Sequence, residues 1–490
     1  MSTGLDVIPP SLHPLILSGL PSSRIATPSS PLYTNSLKSY WSLSASSLSP
    51  LAILQPETPS ELSLIIKHLA SSSTPFAVRS GGHKNWPGSN NISSPGVTID
   101  LSNLSTNTVT LHPSHKLVDL GPALKWKQVY AALHPFGLAV PGGREGNVGV
   151  AGLLLGGGNT FFTARHGFAC DNVVSYDLVL ASGEMTTASE ASNPDLFRAL
   201  KGGSNNFGVV TKFTMKTVPC PGVGGGVWGG VALYHKSLIP TAIDSMVEFT
   251  DELENDRDNN LILIFTHQPN FRDVVIAALY VNVAGKEKPP AFQKWLEMPE
   301  VMNKIKMTSI KEMSVEYNIP DGFYDIWFTL SFKNDARILT KASELHDDLV
   351  EKLKAFNPEQ DFITQCLFQP LPKIFAENSV KAGGNVMGVE RHDSNGVLFL
   401  ATVMAKTGEQ ERFAYPLVKQ WVEDIKTYAA SVDGMLPWIY LNYADKSQDP
   451  LRSYGEDNLQ KIRDVAEKYD PQGVFQTLCP GGFKISKVDA

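Results

Sequence analysis

Arg79-Ser-Gly-Gly-His-Lys-Asn-Trp-Pro-Gly-Ser89 is the stretch on which the reading of this chain turns. It follows the apolar run Pro75-Phe-Ala-Val78, so a histidine stands on a double-glycine turn at the end of an expected strand. Gly81 and Gly82 tolerate positive φ and lack the Cβ atoms that hold a ligand off the main chain. Successive N–H groups there can form an anion-binding nest able to grip a diphosphate, with His83 facing the bound nucleotide. The residues alone leave a second reading open, a strand-ending turn with an exposed histidine.

Working outward, Leu51-Ala-Ile-Leu54 reads as a strand, and Thr58-Pro-Ser-Glu61 has the spacing of a capping box opening a helix through Leu64, Ile65, Ile66 and Leu69. With Phe76-Ala-Val78 this makes a strand, helix, strand unit that delivers His83 to a strand end. Residues 1 to about 40 are rich in Ser, Pro and Leu without a period and read as an arm over the body. Gly96–Leu101 and Val109–His112 alternate as strands, and Leu124–Leu133 has helical spacing.

The densest glycine cluster, Gly142-Gly-Arg-Glu-Gly-Asn-Val-Gly-Val-Ala-Gly-Leu-Leu-Leu-Gly-Gly-Gly158, contains neither a P-loop nor a strict GxGxxG. Its glycines suit backbone packed against a flat ring system; tight helix packing at small residues is the structural alternative. Beyond it, 171–180, the turn Ala181-Ser-Gly-Glu184, a helix opened by Asn193-Pro194 and the strand Val209–Met215 continue the α/β alternation. From about 220, strands at 227–234, 261–265, 274–283 and 397–403 are interleaved with amphipathic helices at 243–253, 336–356 and 411–430. That pattern predicts an antiparallel sheet with one face under helices, hence an α+β fold. Trp438-Ile-Tyr-Leu-Asn-Tyr443 reads as a short strand carrying two phenols and an amide, either a satisfied sheet edge or a hydrogen-bonding, proton-handling cluster.

The 490 residues imply two or three domains. With 42% hydrophobic and 19% charged residues and a net charge of -7, the chain reads as a globular enzyme without the basic stripe that nucleic acid needs. Cys170, Cys220, Cys366 and Cys479 form neither a CxxC pair nor a zinc spacing, so we expect no metal site and a reduced, cytoplasmic setting. The N-terminus lacks a basic signal-peptide region, no apolar run approaches the ~20 residues of a membrane span, and the sequons at Asn91 and Asn103 read as incidental.

The ordered set RSGGH(x)4GS, VGVAG(x)3GGG, CDNVV, NPDLFRALKGGSNNFGVVT, YLNYAD and YDPxGVF resembles the flavin-dependent oxidoreductases of the vanillyl-alcohol oxidase and p-cresol methylhydroxylase type, in the fungal style of their berberine-bridge-enzyme-like branch. The resemblance implies a two-part FAD-binding domain. We expect an arm at 1–40, an FAD-binding domain at 41–217, a substrate domain at 218–436, and a segment at 437–490 returning to the first. It further implies that His83 carries a covalent bond to FAD and that Arg79, Ser80, Gly81, Gly82 and Ser89 cradle the pyrophosphate. Gly142, Gly143, Val148, Gly149, Gly152, Gly156 and Gly158 would line the ring and ribityl chain, and Val210 would contact the adenine end.

Many plant relatives bear a second, cysteinyl bond at the position of Glu145, so a single covalent link is expected here, with a carboxylate near the ring edge or a solvated loop residue as its two readings. Val148 stands where valine leaves room for dioxygen. His166 replaces the tyrosine of an Arg-Lys-Tyr-Gly segment and is a candidate base or a pocket-wall residue; Tyr440, Asn442 and Tyr443 match the C-terminal active-site segment. The implied activity is oxidation of a small organic, secondary-metabolite substrate by hydride transfer to flavin N5, with dioxygen reduced to hydrogen peroxide and ring closure as a further outcome. The alternative is a non-redox cyclase that keeps FAD as scaffold. The expected assembly is a monomer or weak homodimer, without nucleic-acid or membrane partners.

Overall fold

A computed structural model describes residues 8–220 and 226–488. The reading of Met1 to Asp6 therefore lies outside the described residues. Three sheets carry the fold. In the first, Val97–Asp100 lies between Ile53–Leu54 and Phe76–Arg79, parallel to both, and Ile25–Ala26 adds an antiparallel edge. The helix Pro59–Ser71, capped by Thr58 accepting from the Glu61 N–H, makes the crossover that brings the chain to His83. The second sheet is antiparallel, in the order Val109–Leu111, Leu117–Leu120, Val209–Lys216, Val173–Val179, Met185–Ser189.

The third and largest sheet runs in the order Glu300–Asn303, Val227–His235, Val275–Asn282, Asn259–His267, Ile363–Leu371, Gly396–Ala405, Tyr324–Lys333, Met435–Leu436, with Lys306–Thr308 beside Val227–His235. All its pairings are antiparallel. Period-two alternation splits its side chains between two faces. Leu261, Leu263 and Phe265 join the core shared with the helices Ile239–Glu252, Ala336–Phe356 and Gly408–Ser431, whereas Ile262 and Ile264 face a cavity with Leu367, Leu400 and Met404.

Three expectations need correction. The first 40 residues are not an arm laid over a body: Ile8, Leu12, Leu15 and Leu20 are buried with Leu62, Ile65 and Leu69, and Ile25–Ala26 is a sheet strand. The helices there are only five and eight residues long, too short to show a period. The strands Tyr324–Lys333 and Ile363–Leu371 are absent from the expected set: the second is almost wholly buried and lacks alternation, whereas the first carries it, Ile326, Phe328, Leu330 and Phe332 alternating with Asp325, Thr329, Ser331 and Lys333. Trp438–Tyr443 forms no strand; it is an extended segment ending in a turn, with the Tyr443 N–H donating to the Tyr440 carbonyl at 3.0 Å.

The C-terminal segment packs back onto the first sheet. The Phe76 N–H donates to the Leu478 carbonyl at 2.7 Å, and Phe475 meets the Phe76 ring edge-on. Among the described residues no helix is long and apolar enough to cross a membrane, and no group of three or more His, Cys, Asp or Glu could hold a metal ion. All four cysteines are buried and free.

The two glycine-rich segments touch through bare backbone. A Cβ on Gly149 would lie 2.7 Å from the Cα of Gly81, whereas one on Gly152, in the short helix Val150–Leu155, meets nothing within 4 Å. Gly149→Ala is therefore expected to destabilise the protein by roughly 1–3 kcal/mol in denaturant unfolding, with Gly152→Ala neutral or stabilising by up to about 1 kcal/mol.

The helix-covered face of the large sheet buries His346 fully, with Nε2 at 2.7 Å from Thr364 Oγ1 and the ring stacked on Trp421. Burial pushes its pKa down to about 3. An unfolded chain therefore binds a proton there below about pH 6.5 that the folded chain refuses, and the stability this residue allows at neutral pH is lost on acidification. Relative to wild type, His346→Leu is expected to lose stability less steeply between pH 6.5 and 4, by up to about 1.4 kcal/mol per pH unit, in unfolding curves measured across that range.

Candidate cofactor and active site

His83 leaves the strand Phe76–Arg79 through Ser80 and Gly81, and Gly82 turns the chain at φ +67°. Its ring stacks on Trp41 with centroids 4.4 Å apart and planes 6° from parallel. Burial foremost, and then the charge of Lys125, push its pKa down to about 3, so the imidazole is neutral across the physiological range. Nε2 is buried without a hydrogen-bond partner and lies 3.5 Å from Glu145 Oε2. With a neutral ring this proximity is not an ion pair. Glu145 accepts from the Val148 N–H at 2.7 Å, and burial pushes its pKa up to about 6 against the pull of the Asn147 and Val148 N–H groups and Lys125.

A cavity of about 640 Å³ extends on both sides of His83. At one end it is bordered by Ser80, Gly81, Gly82, Lys84, Trp86, Ser89, Asn205, Val210 and Gly482, and along its length by Val148, Gly149 and Gly152. Lys84, outside the residues expected at the site, is half-buried there; its Nζ donates to the Ala444 carbonyl at 3.1 Å, and burial lowers its pKa to about 7 despite Asp445. Cys479 also borders this end, held 3.9 Å from Asn205 Nδ2, and burial raises its pKa.

Some residues expected on the cavity wall stand behind it. The Arg79 guanidinium turns away to donate to the Ser36 carbonyl (2.6 Å), Ser36 Oγ (2.9 Å) and Ser39 Oγ (2.6 Å), and lies over the Tyr40 ring. It fastens the N-terminal helix to the nest instead of touching a ligand. Gly142 and Gly143 make room for Trp126, Gly156 for Asn442, and Gly158 for Leu153 and Ala169. They shape the wall without lining it.

The other end of the cavity brings Tyr440, Asn442 and Tyr443 together with Arg144, Asn159 and Gln369. Tyr440 Oη accepts from the Asn159 N–H at 2.7 Å and from Asn442 Nδ2 at 3.0 Å. Burial raises the Tyr440 pKa, and those two donors oppose the rise. Tyr443 Oη accepts from Arg144 Nη2 and Gln369 Nε2, each at 3.2 Å. Arg144 also donates to Gln369 Oε1, which takes a second bond from Asn159 Nδ2 at 3.2 Å. Gln369 and Asn159 are isolated polar residues in apolar or loop sequence, and no spacing announces them.

His166 is not part of this constellation. It ends the short helix Thr163–His166, half-buried against Phe162, and does not border the cavity. Burial and neighbouring Arg165 lower its pKa. The segment reaches the site instead through Asn159, because its chain turns outward at Thr163 and carries Arg165 to Asp258.

The residues fit a flavin dinucleotide. The backbone of Ser80, Gly81 and Gly82, the half-buried Lys84 and the neutral ring of His83, whose Nε2 has no hydrogen-bond partner, all border one cavity. The family described as the FAD binding domain matches residues 50–189. The FAD-dependent monooxygenase drtC of Aspergillus calidoustus is 38% identical over 462 residues, covering 93% of this chain and 86% of the other. The FAD-dependent monooxygenase sdcF of Emericella nidulans is 36% identical, covering 95% and 96%. In fold, the chain is similar to 6-hydroxy-D-nicotine oxidase from Arthrobacter nicotinovorans, with a TM-score of 0.74 at 19% identity over 94% of this chain and 97% of the other. Physcomitrella patens BBE-like 1 aligns with a TM-score of 0.72 at 18% identity, over 95% and 97%. From the cavity, its glycine nest and these relatives together, the chain belongs to the FAD-dependent oxidoreductases of the vanillyl-alcohol oxidase and p-cresol methylhydroxylase type, the family that holds the fungal FAD-dependent monooxygenases.

Proposed function

We propose that this enzyme is an FAD-dependent oxidase of a small organic, secondary-metabolite substrate, holding its flavin through one covalent bond from His83. FAD held there would supply a hydride acceptor at N5 and a route for the electrons to dioxygen, with hydrogen peroxide as the second product. The observation that carries the reading is His83 itself: a buried, neutral imidazole with an unpartnered nitrogen on a glycine nest, in a cavity that continues to a cluster of phenols. A neutral ring keeps the lone pair that a covalent bond requires, and Trp41 holds its plane.

Ser80 to Gly82 bind the diphosphate through backbone N–H groups, with Lys84 as the nearby positive charge. Glu145 occupies the place of a second, cysteinyl anchor and puts a carboxylate beside His83 above about pH 6. Val148 leaves space for dioxygen on the cavity wall. The Tyr440 phenolate is the base to which we assign the substrate's proton: two N–H donors support it, while burial favours the phenol and so limits the base form at neutral pH. Its activity as a base therefore increases with pH.

The monooxygenase names of the relatives favour a second reading, in which an atom of dioxygen enters the product. Turnover under ¹⁸O₂ separates the two: an oxidase sends the label to hydrogen peroxide, and label in the product would replace the oxidase reading. Anaerobic substrate that forms product without bleaching the flavin would leave the cyclase.

Two outcomes are expected of variants. Acid-precipitated wild-type protein stays yellow and His83→Ala releases its colour to the supernatant; free flavin from wild type would overturn the covalent link. Tyr440→Phe lowers kcat by about 10²–10⁴-fold with a smaller effect on KM, and removes the rise of kcat toward alkaline pH that wild type shows in steady-state assays.

A further inference from the structure

The donors and acceptors at the Tyr440 end of the cavity do not balance. Arg144 is only 8% exposed, yet its Nη1 has no hydrogen-bond partner. Its Nη2 is taken up by Gln369 Oε1 and Tyr443 Oη, both neutral acceptors. The two carboxylates that border the cavity are engaged elsewhere: Glu145 accepts from the Val148 N–H, and Glu316 pairs with Lys306 at 2.8 Å. A buried guanidinium without a counter-charge is costly, and an unpaired N–H within it adds to the cost.

Tyr443 has a matching deficit. Both bonds to its Oη come from donors, Arg144 Nη2 and Gln369 Nε2, so its own O–H proton has no acceptor among the described residues. The orientation of Gln369 is set by its carbonyl, which receives Arg144 and Asn159 Nδ2. Asn159 is set in turn by Thr163 Oγ1 donating to its Oδ1 at 2.9 Å. The network therefore cannot relieve itself by turning an amide: among the described residues the Arg144 guanidinium is left without a counter-charge and the Tyr443 O–H without an acceptor, and both side chains border the cavity.

Facing these donors is an apolar sheet surface, Ile262, Ile264, Leu367 and Leu400, closed by Trp327. We propose that the substrate is an apolar molecule bearing an ionised oxygen, a carboxylate or an enolate, which the Arg144 guanidinium and Tyr443 Oη bind while the apolar body lies on the sheet. This rests on the flavoenzyme reading above and adds to it the class of substrate. Charge-assisted hydrogen bonds of this kind supply orientation as well as affinity, so Arg144 would set which carbon of the substrate is presented for reaction.

The test is titration of oxidised holoenzyme, read by the visible absorption of the flavin, with three probes: sodium decanoate, 1-decanol of the same chain length, and the sodium salt of dehydroacetic acid, an ionised enol. Wild type is expected to bind at least one anion about tenfold or more tighter than decanol, and Arg144→Gln to lose that preference while keeping its flavin and its decanol affinity. Arg144→Lys, which keeps the charge but not the fork, should retain part of it. Whichever anion binds identifies carboxylate or enolate. Equal binding of anions and decanol by wild type, or an undiminished preference in Arg144→Gln, would overturn the proposal. So would loss of flavin from Arg144→Gln with the anion preference intact in the fraction that retains it, since Arg144 would then serve the cofactor. Protein that carries no flavin at all would overturn the flavoenzyme reading and this one together, whereas yellow protein indifferent to anions overturns this one alone.

Discussion

The architecture of the site depends on a contact in which two stretches of backbone meet without side chains between them. Gly81 and Gly149 come from segments nearly seventy residues apart, and each occupies the space where the other's Cβ would be. Neither glycine is needed for an unusual φ; neither has a positive one. What they provide is proximity, which sets His83 beside Glu145 and lays the helix Val150–Leu155 along the cavity. Trp41 then stacks on His83 from the N-terminal segment, and Arg79 fastens that segment through Ser36 and Ser39. One consequence is electrostatic: an imidazole sealed this way cannot be protonated near neutrality.

At the far end of the cavity the controlling constraint is hydrogen-bond parity. Tyr440 and Tyr443 each receive two donors, which favours a phenolate at Tyr440 and leaves the Tyr443 proton without an acceptor among the described residues. The amides that impose this, Asn159, Asn442 and Gln369, come from three distant parts of the chain. A polar network of this kind holds one geometry because any rotation strands a buried group. The sheet below it contributes shape and little else, since its cavity face is almost wholly aliphatic apart from the glutamines and Trp327.

Much of the first half was legible in the residues. The strand before His83, the helix Pro59–Ser71, the helix Trp126–Leu133 and the strand Val209–Lys216 all follow from local apolar period and caps. The strand Ile363–Leu371 was not legible, because a strand covered on both faces loses the alternation that marks it, whereas Tyr324–Lys333 does alternate, Ile326, Phe328, Leu330 and Phe332 against Asp325, Thr329, Ser331 and Lys333. Arg79 shows a different limit. A motif places an arginine next to a nest, but its long side chain can reach either way, and the Ser36 carbonyl, Asp100 and the Tyr40 ring draw it inward.

By itself the sequence determined the family and the α+β class and singled out His83, Gly81, Gly82 and Gly149, because backbone approach and turn chemistry act locally and leave a residue-level signature. Tertiary structure alone decided which polar groups meet. Arg144 and Gln369 are separated by 225 positions, and Tyr440 meets Asn159 across 281. Their pairing follows from how the large sheet and the C-terminal segment close over the glycine-rich helix. Hydrogen bonds act at about 3 Å, and only the packed fold brings such distant residues that close.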